Sequence, residues 1–103
     1  MKLFNISYIP GAEIEALGMV KGTTVHSKNI GRDIMAGMKT IVGGEIKSYT
    51  MMLNEAREIA TQRMIDEAEE MGADAILSIR YGSSSVMQSA AEIIAYGTAV
   101  KIK

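Results

Sequence analysis

The chain has no cysteine and no tryptophan, and only one histidine, one proline and one phenylalanine. Without cysteine there is no disulfide, no thiolate metal site and no cysteine nucleophile, and such a composition suits a reducing compartment. An excess of charge of either sign is also missing: eleven basic side chains face twelve acidic ones, for a net charge of −1. Nucleic-acid binders carry a basic excess or stripe, because counterion release supplies much of their affinity. No apolar run approaches the ~20 residues that span a bilayer. The N-terminus, Met1 to Ser7, has one lysine and gives way to Pro10-Gly11, too early for the apolar stretch of a signal peptide. These gaps predict a cytoplasmic protein whose partners include neither nucleic acid nor membrane.

What is present fits one globular domain over residues 1–103, with 48% apolar residues and nine methionines. A domain of this size buries roughly 60–70% of the surface its unfolded chain exposes, which allows a core of modest extent. Residues 1–11 read as an extended arm. From Ile14 to Val25 a loose alternation and the β-branched Thr23-Thr24-Val25 predict a strand, with Gly18 and Gly22 as points of bulge or close approach. Asn29 to Gly44 reads as a short helix, capped by Asn29 and ended by Gly43-Gly44. Tyr49, Leu53, Ala56, Ala60, Met64, Ala68 and Met71 recur every three or four residues and predict a long amphipathic helix from about 45 to 71, stopped by Gly72. Residues 73–81 alternate as a strand, 82–85 (Gly-Ser-Ser-Ser) read as a turn, and 90–102 form a last strand that is apolar on both sides through its middle. The expected fold class is therefore α+β, a three-stranded antiparallel sheet in β-α-β-β order with one long and one short helix.

A helix of about 26 residues extends ~39 Å, the full width of a compact domain of ~13 Å radius of gyration. It covers one face of such a sheet. The last strand is apolar on the other face too, and a second copy of the chain is the simplest cover, since closed symmetric homo-oligomers are the usual solution; the alternative is that the N-terminal arm and the short helix suffice.

The blocks Asn29-Ile30-Gly31-Arg32-Asp33-Ile34-Met35-Ala36-Gly37-Met38, Ile41-Val42-Gly43-Gly44, Tyr49 with Ala56-Arg57-Glu58-Ile59-Ala60, Ala68-Glu69-Glu70-Met71-Gly72-Ala73-Asp74-Ala75-Ile76 and Gly97-Thr98-Ala99-Val100-Lys101 resemble the YbjQ family, in its order and over nearly the whole chain. The resemblance implies a subunit similar to dodecin, assembled as a cyclic homopentamer, in some members with two rings stacked. It also brings a heavy-metal-binding label.

The residues themselves offer few ligands for a heavy metal. Soft metals prefer thiolates and thioethers, and zinc prefers Cys and His. His26, beside Ser27 and Lys28, is the one metal candidate, against the plainer reading of a solvated strand end. A ring would repeat it about the axis. Met35, Met38, Met51 and Met52 could suggest a thioether copper(I) site, but core packing is the plainer reading. Asp66, Glu67, Glu69 and Glu70 read as a solvated helix end with Arg63–Glu67 as an i,i+4 pair, or as a hard-cation site or a seam to a neighbour. Asn29, Arg32 and Asp33 form the most suggestive polar group, either an interface salt bridge or a pocket in which Arg32 holds an anion and Asp33 a donor. Gly43-Gly44 before a helix reads as a turn or as an anion site of backbone N–H groups. Catalytic signatures are absent: Gly82-Ser83-Ser84-Ser85-Val86 is not a G-x-S-x-G elbow, and neither G-x-G-x-x-G nor a P-loop occurs. No catalytic residue is assigned and no motif points to a cofactor. The chain reads as a binder of a small polar ligand or ion at subunit interfaces, or alternatively as a purely structural ring.

Overall fold

The computed structural model describes residues 1–27, 44–87 and 90–103. Its elements run β1 (Lys2–Leu3), β2 (Ile14–Ser27), α1 (Gly44–Glu70), β3 (Ala75–Met87) and β4 (Ala90–Ile102). The expected short helix at 29–44 lies outside the described residues apart from Gly44, which opens α1.

The fold is α+β as expected, but the sheet has four strands rather than three, in the order β1-β3-β4-β2. The added strand comes from the arm. Lys2 and Leu3 pair in parallel with Ala75 and Ile76, and Phe4 N–H donates to Ile76 O at 2.9 Å while Ile79 N–H donates to Phe4 O at 3.1 Å. Two residues carry no readable period, so the arm becomes a strand only because β3 offers it an edge. The other neighbours, β2 with β4 and β3 with β4, are antiparallel.

The expected turn at 82–85 is also corrected. β3 continues through it to Met87, with Gly82 opposite Ile94, Ser83 opposite Ile93 and Ser84 opposite Glu92. Glycine and serine have weak strand propensity, but here the pairing partner supplies β-branched residues across the ladder, and cross-strand context overrides local preference.

Two irregularities decide which side chains face the helix. Between Ala16 and Gly18 the register of β2 slips, and Gly18 takes φ 147°. Beyond the slip Val20 faces α1 while Met19 faces away. In β3, Ser78 has φ 54° and the register slips between Leu77 and Arg80. The strict alternation expected for 75–81 therefore breaks: Ala75 and Leu77 face away from α1, whereas Ile76 and Ile79 both face it. Bulges of this kind re-aim side chains.

The helical period holds where it matters. Ala56, Ala60, Met64 and Ala68 are fully buried against Val20, Ile76, Ile93, Ala95 and Ala99. The small size of the three alanines brings helix and sheet close, and Gly22 allows the closest approach: a Cβ there would lie 2.0 Å from the Ala60 carbonyl oxygen. The rear of the sheet has a second, smaller core of Ala75, Leu77 and Val100, covered by Phe4 and Ile9 of the arm and by Ile14. α1 ends at Gly72 with φ 77°, where Ala73 N–H donates to Ala68 O and Gly72 N–H to Glu69 O, the paired bonds of a Schellman stop.

Candidate functional site

One helix about 10 Å across covers about two strands spaced 4.8 Å apart. α1 lies over β2 and β4 and barely touches β3. Among the described residues, the helix-facing side of β3 beyond Ile79 is thus left largely bare. Pairing across the sheet aligns Tyr81 with Ala95, Ser83 with Ile93 and Ser85 with Ala91, so a tyrosine and two serines floor the open strip. Past Ile79 the arm no longer pairs with β3, and no other strand of the described residues pairs along that outer edge.

Two hollows meet along this strip and share Arg57 and Tyr81. The outer one, of about 820 Å³, runs over the helix past Asn54, Glu58, Thr61 and Gln62. The inner one, of about 390 Å³, lies between helix and sheet and is lined by Leu53, Ser83, Ala91 and Ile93 besides the shared pair. Leu53, Arg57 and Thr61 stand four residues apart, so they form one stripe of α1 above β3. Among the described residues, Arg57 is the only charged side chain lining the inner hollow.

The hydrogen bonds fix the polarity of the site. The Arg57 guanidinium donates to Asn54 Oδ1, and no carboxylate of the described residues pairs with it; the ion pair among the described residues, Lys101–Asp74 at 4.0 Å, lies away from the site, between β4 and the stretch after α1. Thr61 Oγ1 donates to the Arg57 carbonyl at 2.6 Å and lies 2.7 Å from the Tyr81 hydroxyl. A threonine hydroxyl has one proton. Since that proton goes to a carbonyl, which only accepts, Tyr81 donates to Thr61, and the phenolic oxygen keeps only lone pairs to offer the hollow.

The residues singled out in the sequence fall elsewhere. Asn29, Arg32, Asp33 and Gly43 lie outside the described residues, as do Met35 and Met38. His26 ends β2, half-buried, with Nδ1 3.4 Å from Thr24 Oγ1. The Arg63–Glu67 pair gives way to another contact: Arg63 Nη1 donates to Thr23 O at 2.6 Å, reaching over the helix to the outer strand, while Gln62 donates to Asp66 Oδ1 at 2.9 Å. Arg57, Thr61 and Tyr81 were not singled out. The alternation Tyr81, Ser83, Ser85 was the available signal, hidden because Gly-Ser-Ser-Ser reads as a turn.

A single long helix laid off-centre on a four-stranded mixed sheet defines a small α+β protein with one bare strip beside the helix. The chain belongs to the YbjQ family: the family model described as "Putative heavy-metal-binding" matches residues 1–103. It is similar to a UPF0145 protein of Pseudothermotoga lettingae, 65% identical over 104 residues covering 100% of this chain and 98% of that one. A UPF0145 protein of Clostridium novyi is 59% identical over 102 residues, with 99% of each chain covered. A crystal structure of a protein of unknown function from Pediococcus pentosaceus matches with a TM-score of 0.73 at 17% identity, covering 100% of this chain and 98% of that one. That likeness concerns the fold alone.

The donors among the described residues do not fit the family's label. Thiolates are missing from the sequence, and among the described residues no three of His, Cys, Asp and Glu stand close enough to hold an ion. Of the described methionines, Met64 is locked in the core, while Met1 in the arm, Met19 on the rear of the sheet, Met51 on α1 and Met71 just past it are exposed.

Proposed function

We propose that the protein works in the cytoplasm as a homo-oligomer, the pentameric ring that its family resemblance implies, and binds a small polar ligand or ion at or beside its subunit interfaces without catalysing a reaction. The observation that carries this reading is the rear of the sheet. The arm covers it only around Ala75, Leu77 and Val100. Further along, Met19 is 76% and Val25 55% exposed, and Tyr96 of the neighbouring strand is exposed too. Register places Met19 beside Thr98, the exposed Lys21 beside Tyr96, Thr23 beside Ile94 and Val25 beside Glu92 on this face, so apolar side chains alternate there with polar and charged ones. Methionine and valine exposed together on a flat sheet face mark a surface that another protein covers, and a second copy is the partner always at hand. Among the described residues no helix is long and apolar enough to cross a membrane.

Asn29, Arg32, Asp33, Gly43 and Gly44 remain candidates for the interface or its ligand, on the strength of the sequence. The open strip beside α1 favours ligand binding over a purely structural ring. Its floor of Tyr81, Ser83 and Ser85 is polar, unlike a surface meant for dry packing.

Size-exclusion chromatography with light scattering tests the assembly. The expected mass is several times the 11.1 kDa of one chain. A folded, monodisperse monomer at micromolar concentration rejects the reading.

A further inference from the structure

We infer that the inner hollow between α1 and β3 is a binding site for a small carboxylate with a flat apolar body and a hydrogen-bond donor of its own. The inference names a ligand class for the small-molecule reading above and rests on it only for there being a ligand; it needs no second copy. Three features carry it. Arg57 stands at the wall of the hollow without a carboxylate partner among the described residues, its guanidinium steadied by Asn54. An arginine with free donors recognises a carboxylate by two parallel hydrogen bonds. Leu53, Ala91 and Ile93 give the hollow an apolar wall beside Ser83, which suits a flat hydrocarbon body, and about 390 Å³ is within the usual range for a small-molecule pocket.

The third feature is the polarity of Tyr81. Its proton is committed to Thr61, whose own proton is committed to the Arg57 carbonyl. The phenolic oxygen therefore accepts but does not donate, so a ligand that satisfies it must bring an O–H or N–H. The same relay ties Tyr81 to the turn of helix that carries Arg57, holding the anion-binding and donor-reading groups on one rigid frame. Glu58 lines only the outer hollow, and no carboxylate of the described residues lines the inner one.

The probes are 4-hydroxybenzoate, benzoate and benzamide, titrated into the full chain with amide shifts and calorimetry as readouts. 4-Hydroxybenzoate is expected to bind more tightly than benzoate by about fivefold, the worth of one hydrogen bond, and benzamide, without the charge, more weakly than both. Tyr81→Phe should erase the difference between the two acids and leave benzoate binding nearly unchanged. Arg57→Gln should weaken both acids by about tenfold or more. Both side chains are exposed, so the variants keep the fold, and circular dichroism verifies it. The inference fails if neither acid binds, or if Arg57→Gln leaves their affinity intact. Acids that bind but shift residues away from Leu53, Tyr81 and Ser83 overturn this site while leaving the broader ligand-binding reading standing.

Discussion

Gly22 shows how much one residue settles. It lies on the helix-facing side of β2 opposite Ala95, and a methyl group there would meet three backbone atoms of α1: the Ala60 carbonyl oxygen at 2.0 Å, the Met64 nitrogen at 2.3 Å and the Arg63 carbonyl carbon at 2.9 Å. Backbone cannot swing aside as the end of a side chain can, so Gly22→Ala must lift the helix off the sheet and open the contacts of Ala56, Ala60 and Met64 together. Overpacking alone costs 1–3 kcal/mol in ordinary cores. Displacing a whole helix costs more, and a loss on the order of 4 kcal/mol is expected, read as a large drop in the midpoint of chemical or thermal unfolding. An unchanged midpoint would mean the helix does not sit where this structure places it. Gly18 and Gly22 were both legible in the sequence as points of bulge or close approach. Ser78 was not, because nothing in a serine announces a left-handed backbone.

At the scale of the element, α1 is the part the sequence described best, and its stop at Gly72 followed from composition alone. What it concealed was how the helix end is neutralised. The last turns carry Asp66, Glu67, Glu69 and Glu70 and no basic residue, an arrangement that opposes the macrodipole. The compensation comes from β4: Lys101 Nζ donates to Gly72 O at 3.0 Å and approaches Asp74, while Asp74 Oδ2 accepts from Ile102 N–H at 2.8 Å. Contacts between residues thirty apart leave no mark on a local pattern. Because the Lys101 side chain is about half exposed, its contribution is limited, and Lys101→Met should cost about 0.5–1 kcal/mol, less in high salt. Equilibrium denaturation of the two proteins at low and high salt reads both numbers, and a loss independent of salt would point to packing of the lysine stem instead. The candidate site was less legible than the helix for the same reason. Arg57 and Thr61 sat in view on a helical stripe, but the strand that completes the site reads as a turn until its pairing with β4 is known.

At the scale of the whole molecule, the chain is not as compact as its length permits, with a Cα radius of gyration of 16.6 Å against ~13 Å for a compact domain of about 100 residues. Among the described residues one helix serves four strands and both sides of the sheet keep bare regions, but their chemistry differs. The strip beside α1 is floored by Tyr81 and serines and suits a ligand. The rear face presents Met19 and Val25 from β2 with Ile94 and Tyr96 from β4, and suits protein. If copies meet on that rear face, a charge placed there should break them apart without harming the isolated fold, because Met19 is already mostly in solvent within one chain. Met19→Glu and Val25→Glu are expected to move the light-scattering mass toward that of a single 11.1 kDa chain. An exposed substitution ordinarily changes stability by no more than about 0.5 kcal/mol, so any large fall in unfolding temperature must come from the lost assembly and should depend on protein concentration. Met51→Glu, equally apolar and exposed but on α1, serves as the comparison and should leave the mass unchanged. If Met51→Glu dissociates the assembly and Met19→Glu does not, the subunits meet through the helix, and the bare rear face has some other partner.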